Sequence, residues 1–378
     1  MNRKEFPLLE RDNELVYLDS ACMSLKPQKV IEKINEYYKN YPGCSGRSSH
    51  RISRKATEEL EKARERIAKL ISTDKNDLMF TSGTTESINT VAQGHDFQRV
   101  FISEKEHNAN RVVWQQLDTE VIEIPVDEEL DLEFIKNNIR ENDLLSLIHT
   151  SNLDGQTLDI EQAFDIAKDH NAYTLLDAAQ SIPHKPFSVN EIKADFIAFS
   201  GHKMLGPTGT GALYVSKELQ GKLSPLKYGG GAVNSATKKQ ADFKQYPKGF
   251  EPGLKDLAGY IGMGQAAQYL QQIGMKKIEN HEQNLTERLV RSLREIKGVE
   301  IYNKGPGIVS MTFNSMNARE ANEIFNKRNI MTRAGMHCAH PYHKKRNIPA
   351  TLRASIYLYN NEKDIEEFID VAKKISML

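Results

Sequence analysis

The sequence has no net charge: 51 basic residues face 51 acidic ones along 378 positions. Without a basic excess there is no electrostatic case for nucleic acid or an anionic membrane surface. Cysteine is scarce. Cys22, Cys44 and Cys338 are odd in number and form no Cys-x-x-Cys pair, which argues against a disulfide framework and for a reducing compartment. No apolar run approaches the ~20 residues of a membrane span, and the opening Asn-Arg-Lys-Glu-Phe-Pro offers no apolar signal-peptide core. A soluble cytoplasmic protein is the expectation. The Gly-Lys-Ser/Thr ending of a nucleotide P-loop is missing too, although glycines cluster between 201 and 211.

What is present is a repeated pattern: a short apolar run, polar residues at its C-terminal end, then an amphipathic segment. The runs at Leu78–Phe80, Val100–Ile102, Leu144–Ile148, Leu175–Leu176 and Phe196–Phe199 predict strands. Alternation with helices predicts an α/β fold around a mostly parallel sheet, with ligands at the carboxyl edges of its strands. Gly211–Val215 predicts a further strand. From about residue 275, long charged helices alternate with short strands (Val299–Tyr302, Ile308–Phe313), the pattern of a smaller α+β domain. The expected division is a large domain over 21–267 and a small one built from 1–20 and 268–378.

Two strand ends carry the chemistry. Phe196–Phe199 runs into Ser200, His202 and Lys203, where a partly desolvated lysine favours its neutral, nucleophilic form. The strand before it ends in Asp177, with Gln180 three residues on. A lysine able to form a Schiff base and a carboxylate able to pair with a pyridinium nitrogen are the protein groups that pyridoxal phosphate (PLP) needs. Taken singly, Lys203 reads as a surface lysine in a glycine loop, the commoner fate of that residue. A third strand end, Thr81-Ser-Gly-Thr84-Thr85-Glu86, opens a helix whose free amides and hydroxyls suit an anion; the bland alternative is a plain N-cap.

A second constellation lies late in the chain: Arg333-Ala-Gly-Met-His337-Cys338-Ala-His340-Pro, with Arg353 fifteen residues after Cys338. An arginine fork fits an α-carboxylate bidentately. A free cysteine is most often a small buried hydrophobe, but His337, His340 and His343 around Cys338 make a poor core. The same cluster could bind zinc, although its spacing is not a usual structural zinc pattern, and no metal is expected.

Taken together, Asp177-x-x-Gln180, Ser200-x-His202-Lys203, Gly83-Thr84-Thr85-Glu86 and the Arg333–Pro341 loop resemble the class V branch of fold-type I PLP enzymes, nearest to the cysteine desulfurase and selenocysteine lyase group of the SufS kind. The resemblance covers nearly the whole chain. It implies Lys203 as the PLP lysine, Asp177 on the ring nitrogen, His107 stacked on the ring, Asn152 near the ring hydroxyl, Gln180 at the cofactor, and Thr84, Thr85, Ser200 and His202 toward the phosphate. It implies Arg353, with Arg333 and Asn152, for the substrate carboxylate, and Cys338 as the thiolate that takes sulfur from L-cysteine as a persulfide and passes it to an acceptor protein. A homodimer is implied. Alternatives are a selenocysteine lyase, another class V lyase or aminotransferase, and, from a different class, a non-catalytic sulfur-transfer scaffold.

The chain departs from that group at two places. Gly46-Arg47-Ser48 stands where His-Arg-Gly is common, and Glu251-Pro-Gly-Leu254-Lys255 stands where a threonine hydroxyl would reach the phosphate of the neighbouring subunit. Leu254 has no donor. Either the phosphate relies on Thr85, Ser200, His202 and helix amides within one subunit, or Lys255, one position along, reaches it across the interface.

Overall fold

The computed structural model describes residues 2–126 and 128–378. Seven strands form the central sheet: β1 (Leu78–Thr81), β2 (Arg99–Ser103), β3 (Glu120–Ile124), β4 (Leu144–Ile148), β5 (Tyr173–Asp177), β6 (Phe196–Ser200) and β7 (Gly211–Val215), in the order β1-β7-β6-β5-β4-β2-β3. The five strands from β6 through β3 in that order are parallel, and β4 is buried along its whole length, as a sheet covered on both faces requires. The strand β7 runs antiparallel to both of its neighbours, β6 and β1. Its direction follows from the short connection 201–210, which folds straight back where a parallel strand would need a crossover of a dozen or more residues.

Three early helices flank the sheet: α1 (Gln28–Asn40), α2 (Arg51–Leu70) and α3 (Thr84–Gly94). The later α4 (Leu257–Ile273) packs on α1 and α2, and is apolar nearly all round because it is buried nearly all round. Gly264 permits that approach: a Cβ there would lie 2.4 Å from Ala63 Cα, well inside contact distance. The loop-rich stretch after β7 contains an exposed hairpin, Val233–Ala236 with Ala241–Phe243.

After α4, α5 (Met275–Arg294) leads into the small domain. Its sheet is antiparallel in the order β8 (Val299–Tyr302), β9 (Ile308–Phe313), β11 (Thr351–Ser355), β10 (Arg333–Gly335), covered by α6 (Ala318–Lys327) and α7 (Glu362–Ser376). The N-terminal segment serves both domains. Phe6, Leu9 and Leu15 join the large core, while Val16 and Leu18 join the small one and Val16–Tyr17 pairs in parallel with Ile330–Met331. Among the described residues no helix is long and apolar enough to cross a membrane.

Candidate active site

The carboxyl ends of β1, β4, β5 and β6 converge, and small-domain residues close over them. The resulting cavity holds about 200 Å³ and is lined by Thr84, Thr85, His107, Asn152, Asp177, Ser200, His202, Lys203, Arg333 and Arg353, together with Ala21, Cys22 and His337. Two residues expected at the site do not line it. Gln180 donates its amide N–H to the Ala21 carbonyl at 2.8 Å and faces a larger neighbouring cavity of about 670 Å³ between α5 and the large domain. Cys338 sits half-buried one residue beyond His337, on the turn that leaves β10. The larger cavity contains none of Lys203, Asp177 or Arg353, so volume alone does not mark the reacting centre.

At one end, α3 begins at Gly83 with no side-chain cap. Ser200 Oγ accepts from the Thr84 N–H at 2.8 Å and lies 2.7 Å from Thr84 Oγ1. The remaining first-turn amides and the hydroxyls of Thr84, Thr85 and Ser200 form an anion cradle at the positive end of an eleven-residue helix. Gly83 holds φ at +147°, and a Cβ there would come within 3.2 Å of Ser200 Oγ. A side chain would strain the turn and crowd the cradle.

At the other end lies Asp177, 3% exposed, its Oδ1 accepting from the Ala179 N–H at 3.0 Å. Burial raises its carboxyl above the ordinary range, and the nearby Lys203 ammonium pulls it back down. Burial lowers the Lys203 amine, opposed by Asp177. His107 caps the turn after β2, its Nδ1 accepting from the Ala109 N–H, and burial drives it down to about 3, so the ring is neutral at physiological pH. His202 falls to about 4 for the same reason.

The lysine loop is held from the N-terminal segment. The carbonyl oxygen of His202 accepts three hydrogen bonds: from the Ser24 N–H at 3.1 Å, the Ser24 hydroxyl at 2.8 Å and the Lys26 ammonium at 2.9 Å. Burial brings Lys26 down to about 7.

Register in the small sheet sets Arg333 directly opposite Arg353. Arg353 is 1% exposed, donates to the Asn152 carbonyl at 2.9 Å and to Asp19 Oδ1 at 3.3 Å, and leaves Nε without a partner. Asn152 donates to the His337 carbonyl at 2.8 Å and leaves its own Oδ1 without a partner. His337 and Cys338 both adopt left-handed backbone, φ +50° and +58°. His337 is turned inward on Thr351, and burial takes it down to about 2. His340 is exposed beside Asn108, and His343 is buried against the Ile348 carbonyl. Among the described residues no group of three or more His, Cys, Asp or Glu side chains is arranged to hold a metal ion.

These features fit PLP on their own terms. An anion cradle, a buried carboxylate and a lysine share one cavity, and Arg353 Nε and Asn152 Oδ1 are buried polar atoms that lack partners within the protein. Lys255 requires a correction: its ammonium is bound to Glu251 of its own chain, which also takes the Arg64 guanidinium at 2.7 and 2.9 Å and the Phe80 N–H at 2.7 Å. A buried carboxylate at Glu251 draws the lysine inward. Arg47 likewise turns to its own chain, donating to the carbonyls of Gly230 and Gly253.

The sequence profile of the aminotransferase class-V family matches residues 16–368. The chain belongs to the aminotransferase class-V family. A cysteine desulfurase of Haloferax volcanii is 36% identical, with 97% of this chain and 94% of that protein covered. A probable cysteine desulfurase of Staphylococcus aureus is 34% identical, covering 98% and 95%. Among solved structures, the apo cysteine desulfurase of Thermococcus onnurineus superposes with a TM-score of 0.95 at 33% identity, covering 99% and 97% of the two chains. An Escherichia coli cysteine desulfurase gives 0.92 at 30%, again covering 99% and 97%. The class-V fold thus accounts for both domains.

Proposed function

We propose that this chain is a PLP-dependent cysteine desulfurase of the SufS kind, which converts L-cysteine to L-alanine and carries the sulfur as a persulfide on Cys338. The supporting observation is that Arg353, fully buried with Nε unpartnered, opens into the same cavity as Lys203 and Asp177. PLP supplies an electron sink for bonds at the substrate Cα. Thr84, Thr85, Ser200 and the first-turn amides of α3 would hold its phosphate, Asp177 would keep a proton on its ring nitrogen, and neutral His107 would face its ring.

Arg353 binds the α-carboxylate as a guanidinium fork. The Lys203 amine, which burial shifts toward its neutral form against the pull of Asp177, takes the Cα proton. The Cys338 thiolate then attacks the substrate sulfur: an S–S bond forms, the Cβ–S bond breaks, and Cβ takes up a proton to leave alanine. The turn that carries the thiol is tied to the cavity wall, its His337 carbonyl accepting from Asn152 and its Cys338 carbonyl from the Asn108 N–H beside His107.

The reading includes a homodimer, a cytoplasmic location and an acceptor protein for the sulfur. Tyr228 and Phe243, both exposed and in edge contact on the 227–256 stretch, are apolar surface suited to a second copy. The deciding experiment incubates the holoenzyme with L-cysteine and measures alanine and protein-bound persulfide together. Equal early yields are expected from the native chain and neither product from Lys203→Ala. Alanine without persulfide on Cys338 overturns the sulfur-transfer reading. Faster turnover of L-selenocysteine without any persulfide identifies a selenocysteine lyase.

A further inference from the structure

The segment that carries the thiol has little of its own to hold it. His337 and Cys338 occupy left-handed backbone in succession, a conformation that non-glycine residues keep only where their surroundings impose it. The helix that follows, His340–Lys345, has six residues, too few to be stable alone. Its apolar footing is a cluster of three, Leu153, Ala339 and Tyr342. What fastens it is polar, and comes from the turn after β2. Glu104, 2% exposed, accepts from the Arg346 guanidinium at 3.0 Å and from the Lys345 ammonium. Its own N–H donates to the Ile124 carbonyl at the end of β3 at 3.2 Å, so the carboxylate stands on the central sheet. Lys105, paired with Asp154 at 2.6 Å, and the Arg346 guanidinium both face the Tyr342 ring, 5.6 and 3.9 Å from its centre. Asn108 donates its N–H to the Cys338 carbonyl, and its side chain meets His340 Nδ1 at 3.1 Å. Burial raises the Glu104 carboxyl, but Lys345 and Arg346 outweigh it and hold the group below its ordinary range.

We propose that Glu104 is a positioning residue for the thiol: by fixing the far end of the helix His340–Lys345 to the large domain, it holds Cys338 beside the cavity for attack on the substrate sulfur. Glu104 touches neither substrate nor cofactor. Asn108 and Asn152 each pin one oxygen of the turn, at residues 338 and 337. The direction of the Cys338 side chain also depends on where the chain goes next, and that is set at Lys345 and Arg346. A neutral side chain at position 104 would leave the half-buried Arg346 guanidinium without its anion, and the segment with three apolar residues and the Asn108 contacts. Because Glu104 and His107 belong to the same turn, the clamp on the thiol and one wall of the cavity are built from a single piece of chain.

The proposal deepens the desulfurase reading and rests on it for the reaction, so its test carries a second readout that needs no turnover. Holoenzyme with Glu104→Gln, which keeps the shape and removes the charge, is mixed with L-cysteine and quenched within one turnover. Persulfide on Cys338, measured by mass spectrometry, is expected to form about ten- to a hundredfold more slowly, the scale of a displaced nucleophile. The dissociation constant of L-alanine, read from cofactor absorbance, is expected to stay within about twofold of native, because the amino-acid side of the cavity is untouched. Glu104→Asp is expected to recover part of the rate. Without substrate, iodoacetamide alkylation of Cys338, read at its high-pH plateau so that thiol ionisation does not enter, is expected to quicken several-fold. Cys44, on the loop between α1 and α2, is expected to keep its native rate, which separates local release from unfolding. If Glu104→Gln does not fold, Lys345→Gln combined with Arg346→Gln opens the same clamp from the other side and is expected to show both changes. Where the native chain forms persulfide, a persulfide rate within about twofold of native, or an unchanged plateau, in the folded variant overturns the proposal. Where the native chain forms none, the desulfurase reading falls and the plateau alone decides: quickened, the role of Glu104 stands; unchanged, it falls as well.

Discussion

The backbone N–H of Asn108 donates to the carbonyl oxygen of Cys338 at 2.8 Å. Residue 108 follows His107 on the large domain and residue 338 carries the thiol of the small one, so the two domains meet at the reacting centre through main chain, independent of either side chain. Replacing the sulfur is therefore not expected to move the turn. Cys338→Ser is expected to retain PLP and bind L-cysteine, yet lose persulfide formation by at least about a hundredfold, since a hydroxyl is a far weaker nucleophile than a thiolate at neutral pH. Mass spectrometry of the protein after L-cysteine treatment checks it; undiminished sulfur delivery to an acceptor would mean that another group carries the sulfur.

Asp177→Asn is expected to leave PLP bound while slowing Cα deprotonation about a hundredfold or more, because a neutral amide cannot keep the ring nitrogen protonated in a buried site. Stopped-flow absorbance with L-cysteine measures the step. A loss below about tenfold would assign the ring proton elsewhere.

Glu251 is buried and takes both Arg64 and Lys255. Glu251→Ala strands the Arg64 guanidinium and is expected to destabilise the fold by about 3–5 kcal/mol. Lys255→Ala removes only the outer, partly exposed partner. It is expected to shift the PLP dissociation constant less than about threefold, where a direct phosphate contact would give ten- to a hundredfold. Urea titration and PLP titration of apo-enzyme separate the two roles, and a hundredfold change with Lys255→Ala would restore the phosphate contact.

Three histidines at the site are held neutral: His107 at about 3, His202 at about 4 and His337 at about 2. Their folded values lie below the ordinary 6.5, so in the window from 6.5 downward the unfolded chain binds more protons than the folded one. Stability is therefore complete above about pH 6.5 and falls as acid is added through the folded values. His337→Gln is expected to flatten the fall of the urea midpoint between pH 7 and pH 5. An identical slope in the variant would show that His337 does not contribute.

Much of this was legible in the sequence because apolar runs ending in polar residues are local signals. Asp177 and Lys203 each stand at the end of such a run, and β5 and β6 lie side by side. The direction of β7 was less legible, since an apolar pentapeptide reads alike in either direction. Lys255 misled because its partner's other ligand, Arg64, lies 187 residues from Glu251, beyond the reach of any local pattern. Asp19 also follows a short apolar run, but its partner Arg353 lies 334 positions away, so the pairing left no local trace.

The clamp on the His202 carbonyl has a consequence for how the chain is made. Ser24 and Lys26 leave the ribosome long before the loop they hold, and so do Thr84, His107 and Asp177. When Lys203 emerges, every other group on the cofactor side is already waiting, whereas Arg333, Cys338 and Arg353 are still to be translated. Because domains form from the N-terminus during synthesis, the nascent protein acquires its cofactor side before it acquires the means to recognise an amino acid.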